Sequence, residues 1–224
     1  MSTEPTTEPT TEPTHDETRA ALDRAAREAA GQVVAWRHHL HRNPELPNRE
    51  EKTAALVAGH LRSLGLDEVR TGIAGHGVVG VLRGGLPGPR TAALRADIDA
   101  LPVRDLCGAD FASETVDPDY PGGPFPVSHA CGHDCHTAML MGAASVLAGA
   151  RERLPGTVLF VFQPAEEGPP VTEAGGARAM LAAGAFADPV PSMVFGLHVT
   201  PYPKGYVGYR IGKGALSVGP PGVA

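Results

Sequence analysis

Thr157-Val-Leu-Phe-Val-Phe-Gln-Pro-Ala-Glu-Glu167 is the stretch on which the fold turns. Val158 to Phe162 is apolar without a break, and a half-exposed strand would alternate instead, so the run reads as a strand buried on both faces. Glu166 and Glu167 then appear where the chain leaves the core, a less common place for acids that serve only solubility. Similar short runs between Gly and Pro punctuation stand at Gly77 to Leu82, Thr91 to Ala96 and Met193 to Leu197.

Helical periodicity fills the intervals. Leu22, Ala25, Ala29, Val33, Trp36 and Leu40 recur at spacings of three and four from about Asp16, which predicts an amphipathic helix. A second helix is expected from about Glu50 to Leu64, ending at Gly65, a third from Cys135 to Ala150, and a fourth from Ala174 to Ala183. Continuous apolar strands separated by helices are what a sheet covered on both faces produces. The expected class is therefore α/β, with a mixed, largely parallel sheet flanked by helices.

Ionisable residues collect at the ends of these runs. Thr91 to Ala96 leads into Asp97 and Asp99, Thr157 to Phe162 into Glu166 and Glu167, and Met193 to Leu197 into His198. In open α/β sheets the carboxyl ends of the strands border the crevice where ligands bind. A loop before the third helix adds His129-Ala-Cys-Gly-His-Asp-Cys-His136, in which six of eight residues can ligate a metal or move a proton. Each has a bland reading: Asp134 as a helix cap, the Glu pair as solvated surface, His198 as an ordinary histidine. Several such coincidences within one loop and three strand ends are harder to accept than a metal site.

The remaining sequence narrows the class. Of 224 residues, 42% are hydrophobic and 20% charged, which suits a globular chain. A net charge of -6 argues against nucleic-acid binding, and no apolar run approaches the ~20 residues of a membrane span. The amino end lacks the basic start and apolar stretch of a signal peptide, and three cysteines make a disulfide framework unlikely to be the organising device, so a cytoplasmic location is expected. Thr3 to Thr14 is TEPT three times over, read as a disordered leader spanning residues 1–15. His15, His60 and His76 read as surface residues.

A structural zinc would want two paired Cys/His knuckles, and Cys131 with Cys135 supplies one poor pair, Cys107 standing apart. A cysteine nucleophile built on Cys131 and His133 would leave Glu166, Glu167 and His198 without a role. A catalytic metal centre uses them all, one Glu binding metal while its neighbour takes a proton from water.

The chain resembles the amidohydrolase branch of the dinuclear-metal aminoacylase and carboxypeptidase family, which contains hippurate hydrolases, N-acyl-amino-acid amidohydrolases and auxin-conjugate hydrolases. The resemblance rests on Trp36-Arg-His-His-Leu-His-Arg-Asn-Pro-Glu-Leu46, Leu94-Arg-Ala-Asp-Ile-Asp-Ala-Leu-Pro102, His129-Ala-Cys-Gly-His-Asp134, Phe162-Gln-Pro-Ala-Glu-Glu-Gly168 and Phe195-Gly-Leu-His-Val199. It implies a phosphorylase/hydrolase-like catalytic domain, incomplete here, over residues 16–212. It also implies two divalent ions, zinc or manganese, bridged by Cys131 and further held by His133, Glu167 and His198, with Glu166 as general base toward a metal-activated water. The substrate would be a small N-acyl amino acid. Asp97 would orient His133, and Cys135 stands where the family usually has glycine. The family's chains are longer, adding a lid domain through which they pair as homodimers, and a lid histidine and a last ligand histidine have no counterpart here. The second metal site is thus expected to be incomplete, residues 213–224 are expected to be coil, and an inactive half-domain binding at most one ion is the alternative.

Overall fold

The computed structural model describes residues 14–200 together with the backbone of 207–209 and 217–219. Most of the Thr-Glu-Pro leader lies outside the described residues, but its expected end at residue 15 is two residues late. Thr14 already caps helix α1 (His15–Arg42): its hydroxyl accepts the Glu17 N–H while the Glu17 carboxylate accepts the Thr14 N–H.

Helix α2 (Glu51–Ser63) follows, then strands β1 (Glu68–Ile73), β2 (Gly77–Arg83) and β3 (Leu86–Asp97). A small hairpin of β4 (Val116–Asp117) and β5 (Phe125–Pro126) precedes helix α3 (His133–Gly149). Strand β6 (Pro155–Gln163), helix α4 (Gly176–Ala182) and strand β7 (Met193–Gly196) come next. Strands β8 (Val207–Tyr209) and β9 (Ser217–Gly219) pair antiparallel, so the coil expected over residues 213–224 is interrupted by a strand; its other residues lie outside the described ones.

The main sheet has the order β1-β2-β6-β3-β7. Strands β3, β6 and β7 run parallel, and β2 runs antiparallel to both of its neighbours, so four of the five strands point the same way. The apolar runs of β2 and β6 bury both of their faces, whereas Met193 to Leu197, on the edge strand β7, is half-exposed. Val78, Leu82, Phe160 and Phe162 meet Val57 and Leu61 of α2 and Leu140, Met141 and Ala144 of α3, while Val79, Val81, Leu159 and Val161 meet Met180 of α4 and Ala185. That alternation within an unbroken apolar run is the two-residue period of a strand seen from both sides. No helix among the described residues is long and apolar enough to cross a membrane.

His60 is not a surface residue. Half-buried on α2, its Nε2 lies 3.1 Å from both the Met141 carbonyl and the Ser145 hydroxyl, with Trp36 packed edge-on. It ties α2 to α3, and burial lowers its pKa.

Candidate metal centre

The parallel strands place their carboxyl ends side by side in the order β6, β3, β7. Loops separated by up to a hundred residues of sequence therefore open onto one place. From β6 the chain turns through Ala165, a non-glycine residue in the left-handed region (φ 50), and delivers Glu166 and Glu167. The buried Glu50 carboxylate anchors that turn by accepting the Ala165 N–H at 2.7 Å. From β7 comes His198, and above β3 lies the turn Cys131-Gly-His133 that starts α3.

Gly132 is required in that turn. Its φ of 84 suits glycine, and a Cβ there would collide with the Val199 side chain. The absent side chain thus lets the β7 loop close against the start of α3, and Cys131 Sγ comes within 3.3 Å of His198 Nε2.

His133 is fully buried, and its Nε2 has no hydrogen-bond partner among the described residues. Around that nitrogen stand Glu167 at 3.6 Å, Asp97 at 3.7 Å and Glu166 at 3.8 Å. These separations are too long for hydrogen bonds and suit groups that share a ligand between them. The four expected ligands, Cys131, His133, Glu167 and His198, are therefore brought together with the expected general base Glu166 and with Asp97, expected to orient His133.

Backbone groups fix which nitrogen of each histidine is free. His133 donates Nδ1–H to the Asp99 carbonyl at 2.9 Å and to the Asp99 carboxylate at 3.1 Å, and His198 donates Nδ1–H to the Val199 carbonyl at 2.6 Å. In both rings Nδ1 is thus the donor and Nε2 is the nitrogen turned toward the centre, the arrangement of a metal-ligating imidazole. His136 does the opposite. Its Nε2 accepts the Val199 N–H at 2.9 Å, so its Nδ1–H is the one that donates to Asp97 at 2.6 Å.

The expectation that Asp97 orients His133 is not met. Asp99 holds that ring, while the second oxygen of Asp99 accepts the Glu167 N–H at 2.9 Å. Asp97 serves His136 and also bonds Arg95 at 2.6 Å, with Arg95 reaching on to Gln163. Burial raises the Asp97 pKa, but the His136 hydrogen bond and the neighbouring cationic groups outweigh it and hold the carboxyl low.

The donor set is electrostatically unbalanced without a cation. Burial, then Glu167, Glu166 and Asp97, push the Cys131 thiol up to about 12. Burial lowers the basicity of His133, yet Asp99, Asp97 and Glu167 outweigh it and leave that pKa raised. Three carboxylates crowding a thiol and an orphaned imidazole nitrogen fit a divalent cation.

Behind this centre, α1 grips the start of α3. Asp134 does not cap the helix; its carboxylate takes Arg37 at 2.8 Å and His41 Nδ1 at 2.8 Å, and His41 Nε2 meets Asp105 at 3.0 Å. With both ring nitrogens committed to carboxylates, His41 is a strut, although Cys107 lies 3.9 Å away. Sequence reasoning noted Asp99 and His136 among the ionisable residues but gave neither a role, and His41 stood there only within a quoted motif. A spacing of i and i+3 between His133 and His136 on one helix was the available signal for the second of these.

Parallel strands that converge on a Cys/His/carboxylate cluster around buried His133 define an α/β domain with a candidate metal-binding site. Residues 93–220 match the family model described as Peptidase family M20/M25/M40, and the chain belongs to this family. It is 41% identical over 196 residues to the N-acyl-L-amino acid amidohydrolase of Geobacillus stearothermophilus, covering 87% of this chain and 48% of that protein. It is 40% identical over 188 residues to thermostable carboxypeptidase 2 of Saccharolobus solfataricus, covering 83% and 44% respectively. Among solved structures, the dinuclear metal binding peptidase of this family from Bacillus subtilis superposes with a TM-score of 0.64 at 35% identity, covering 82% of this chain and 44% of that one. The chain spans less than half the length of these relatives.

Proposed function

We propose that this chain carries the metal-binding half of an amidohydrolase that cleaves the amide bond of N-acyl amino acids, with Glu166 as general base. The observation that carries the proposal is the partnerless Nε2 of buried His133, ringed at 3.6 to 3.8 Å by Asp97, Glu166 and Glu167 beside the Cys131–His198 pair. Cys131, His133, Glu167 and His198 would hold the metal. A divalent ion such as zinc or manganese supplies Lewis acidity there, polarising an amide carbonyl and bringing the pKa of water toward neutrality.

Glu166 is the group free to move a proton. Its neighbour Glu167 is fixed through its backbone N–H to Asp99, whereas Glu166 is 39% exposed at its side chain and faces the crevice. It takes a proton from the attacking water and returns it to the departing amine. Asp97, committed to His136 and Arg95, acts on the site through those residues and not on substrate.

The relatives' names support the substrate class: an N-acyl-L-amino acid amidohydrolase and, in Arabidopsis, an IAA-amino acid hydrolase 41% identical over 168 residues. Glu166→Gln should abolish hydrolysis of N-acyl amino acids at unchanged metal content, whereas Cys131→Ser should deplete the metal. Loss of metal in Glu166→Gln would transfer that residue to the ligand set and sink the base assignment.

The chain spans 34% to 48% of the curated relatives named above. A second reading is a site that holds one ion without turnover: the described residues bring four candidate ligands to one centre. Calorimetric zinc titration separates the two, since two tight sites per chain contradict an incomplete second site.

A further inference from the structure

We propose that His136 is a positioning residue: it sets His198 for ligation by clasping the adjacent backbone, and Asp97 holds it in the one tautomer that can do so. The inference rests on His198 being a ligand, as proposed above.

His198 stands on the loop leaving β7, which is exposed; its Nε2 lies 3.3 Å from Cys131 Sγ, and its Nδ1 makes a local contact to the carbonyl of its own neighbour, Val199. Nothing in that local contact fixes where the peptide itself sits. The fixed point is the Val199 N–H, which donates at 2.9 Å to His136 Nε2 on α3, a rigid helix at 2% exposure for this side chain's residue. A backbone N–H can only donate, so His136 Nε2 must carry its lone pair and the ring proton must sit on Nδ1. The Asp97 carboxylate, 2.6 Å from Nδ1, accepts that proton.

The sequence Asp97, His136, Val199, His198 therefore runs from the end of β3 through α3 to the β7 loop. The His136 and His198 ring centroids lie 4.7 Å apart at 67°, so the clasp also limits how the ligand ring can swing. Although His136 falls within reach of Asp97 and His133 as a possible third cation cluster, both of its nitrogens are already committed, which excludes it from ligation.

Two side chains dissect the clasp. Gln carries its amide at the reach of Nε2, so His136→Gln keeps an oxygen for the Val199 N–H and gives up Asp97. Asn carries its amide at the reach of Nδ1, so His136→Asn keeps Asp97 and gives up Val199. His136→Leu gives up both. The readouts are Val199 amide hydrogen exchange by NMR in the metal-free protein and zinc affinity by chelator competition in the full chain.

Expected are a protected Val199 amide and zinc binding within about threefold of wild type for Gln, with protection lost and affinity at least about tenfold weaker for Asn and Leu. If Leu does not fold, Gln against Asn decides. Val199 protection unchanged in Asn, or Gln as impaired as Asn in both readouts, overturns the clasp. Wild type that binds no zinc overturns the ligand role of His198 instead, while the exchange measurement still tests the clasp.

Discussion

Asp99→Asn isolates a carboxylate that serves two ligands at once. In the native site Oδ1 accepts from His133 Nδ1 at 3.1 Å and Oδ2 accepts from the Glu167 N–H at 2.9 Å. Asn has one oxygen, so whichever way the amide turns, its NH2 faces a second donor. The Asp99 backbone carbonyl already takes the His133 proton at 2.9 Å, so the oxygen turns to Glu167 and His133 keeps one of its two acceptors. A hydrogen bond to a charged group contributes about 1.5 to 3 kcal/mol, and here that proton is shared, which places the loss at the low end. Zinc affinity should fall about tenfold, or about 1.4 kcal/mol. Asp99→Ala releases both ligands and should cost up to about a hundredfold. Competition against a chromophoric chelator at fixed pH measures both variants, alongside the unfolding midpoint of each metal-free protein. An Asp99→Ala protein that folds and binds zinc like wild type would refute the assignment of Asp99 as the group that orders His133 and Glu167.

Three further outcomes follow from buried groups elsewhere. Burial pushes the Glu50 carboxyl up to about 7 from 4.5, so the folded state holds a proton that the unfolded chain has released; stability is full below pH 4.5 and falls as pH rises through 7. Glu50→Gln should remove that slope, closing a gap of roughly 3 kcal/mol between pH 5 and 8 in denaturant titrations, and an unchanged slope would discard Glu50 as its source. Gly132→Ala should cost about 1 to 3 kcal/mol and weaken zinc binding, because the new methyl group separates the start of α3 from Val199; a wild-type unfolding midpoint and affinity would contradict the close approach. Cys107 is exposed, whereas burial raises the Cys135 thiol pKa, so a thiol reagent at neutral pH should modify Cys107 first and Cys135 slowly. The reverse order, read by mass spectrometry, would contradict the burial of Cys135.

The central strands were legible because burial on both faces leaves an unbroken apolar run. Strand β1 was not. Glu68-Val-Arg-Thr-Gly-Ile73 lies at the edge of the sheet, half-exposed, with a register shift between Arg70 and Ile73, so it carries neither an apolar run nor clean alternation. The cluster of candidate ligands was legible for a chemical reason: thiol, imidazole and carboxylate types crowd the strand ends. Their supporting partners were harder. Asp97 and Asp99 are two residues apart in one run, and nothing in Asp97-Ile-Asp99 says which acid faces which ring. That choice is made by α3, whose first turn sets His133 beside Asp99 and, three residues on, His136 beside Asp97. It is a tertiary decision that no local pattern encodes.

The same geometry explains why one strand governs the whole centre. Strand β3 lies between β6 and β7, so its carboxyl end is the one place that touches the loops of both neighbours. Its two acids divide them. Asp99 holds the β6 loop through the Glu167 N–H, and Asp97 holds the β7 loop through His136 and the Val199 N–H. Each acid thereby fixes a proposed ligand after a different strand while both face the helix that carries His133. Asp97 and Asp99 should therefore act on zinc affinity through separable routes, one reaching His198 and the other Glu167, and the double variant should show losses that nearly add.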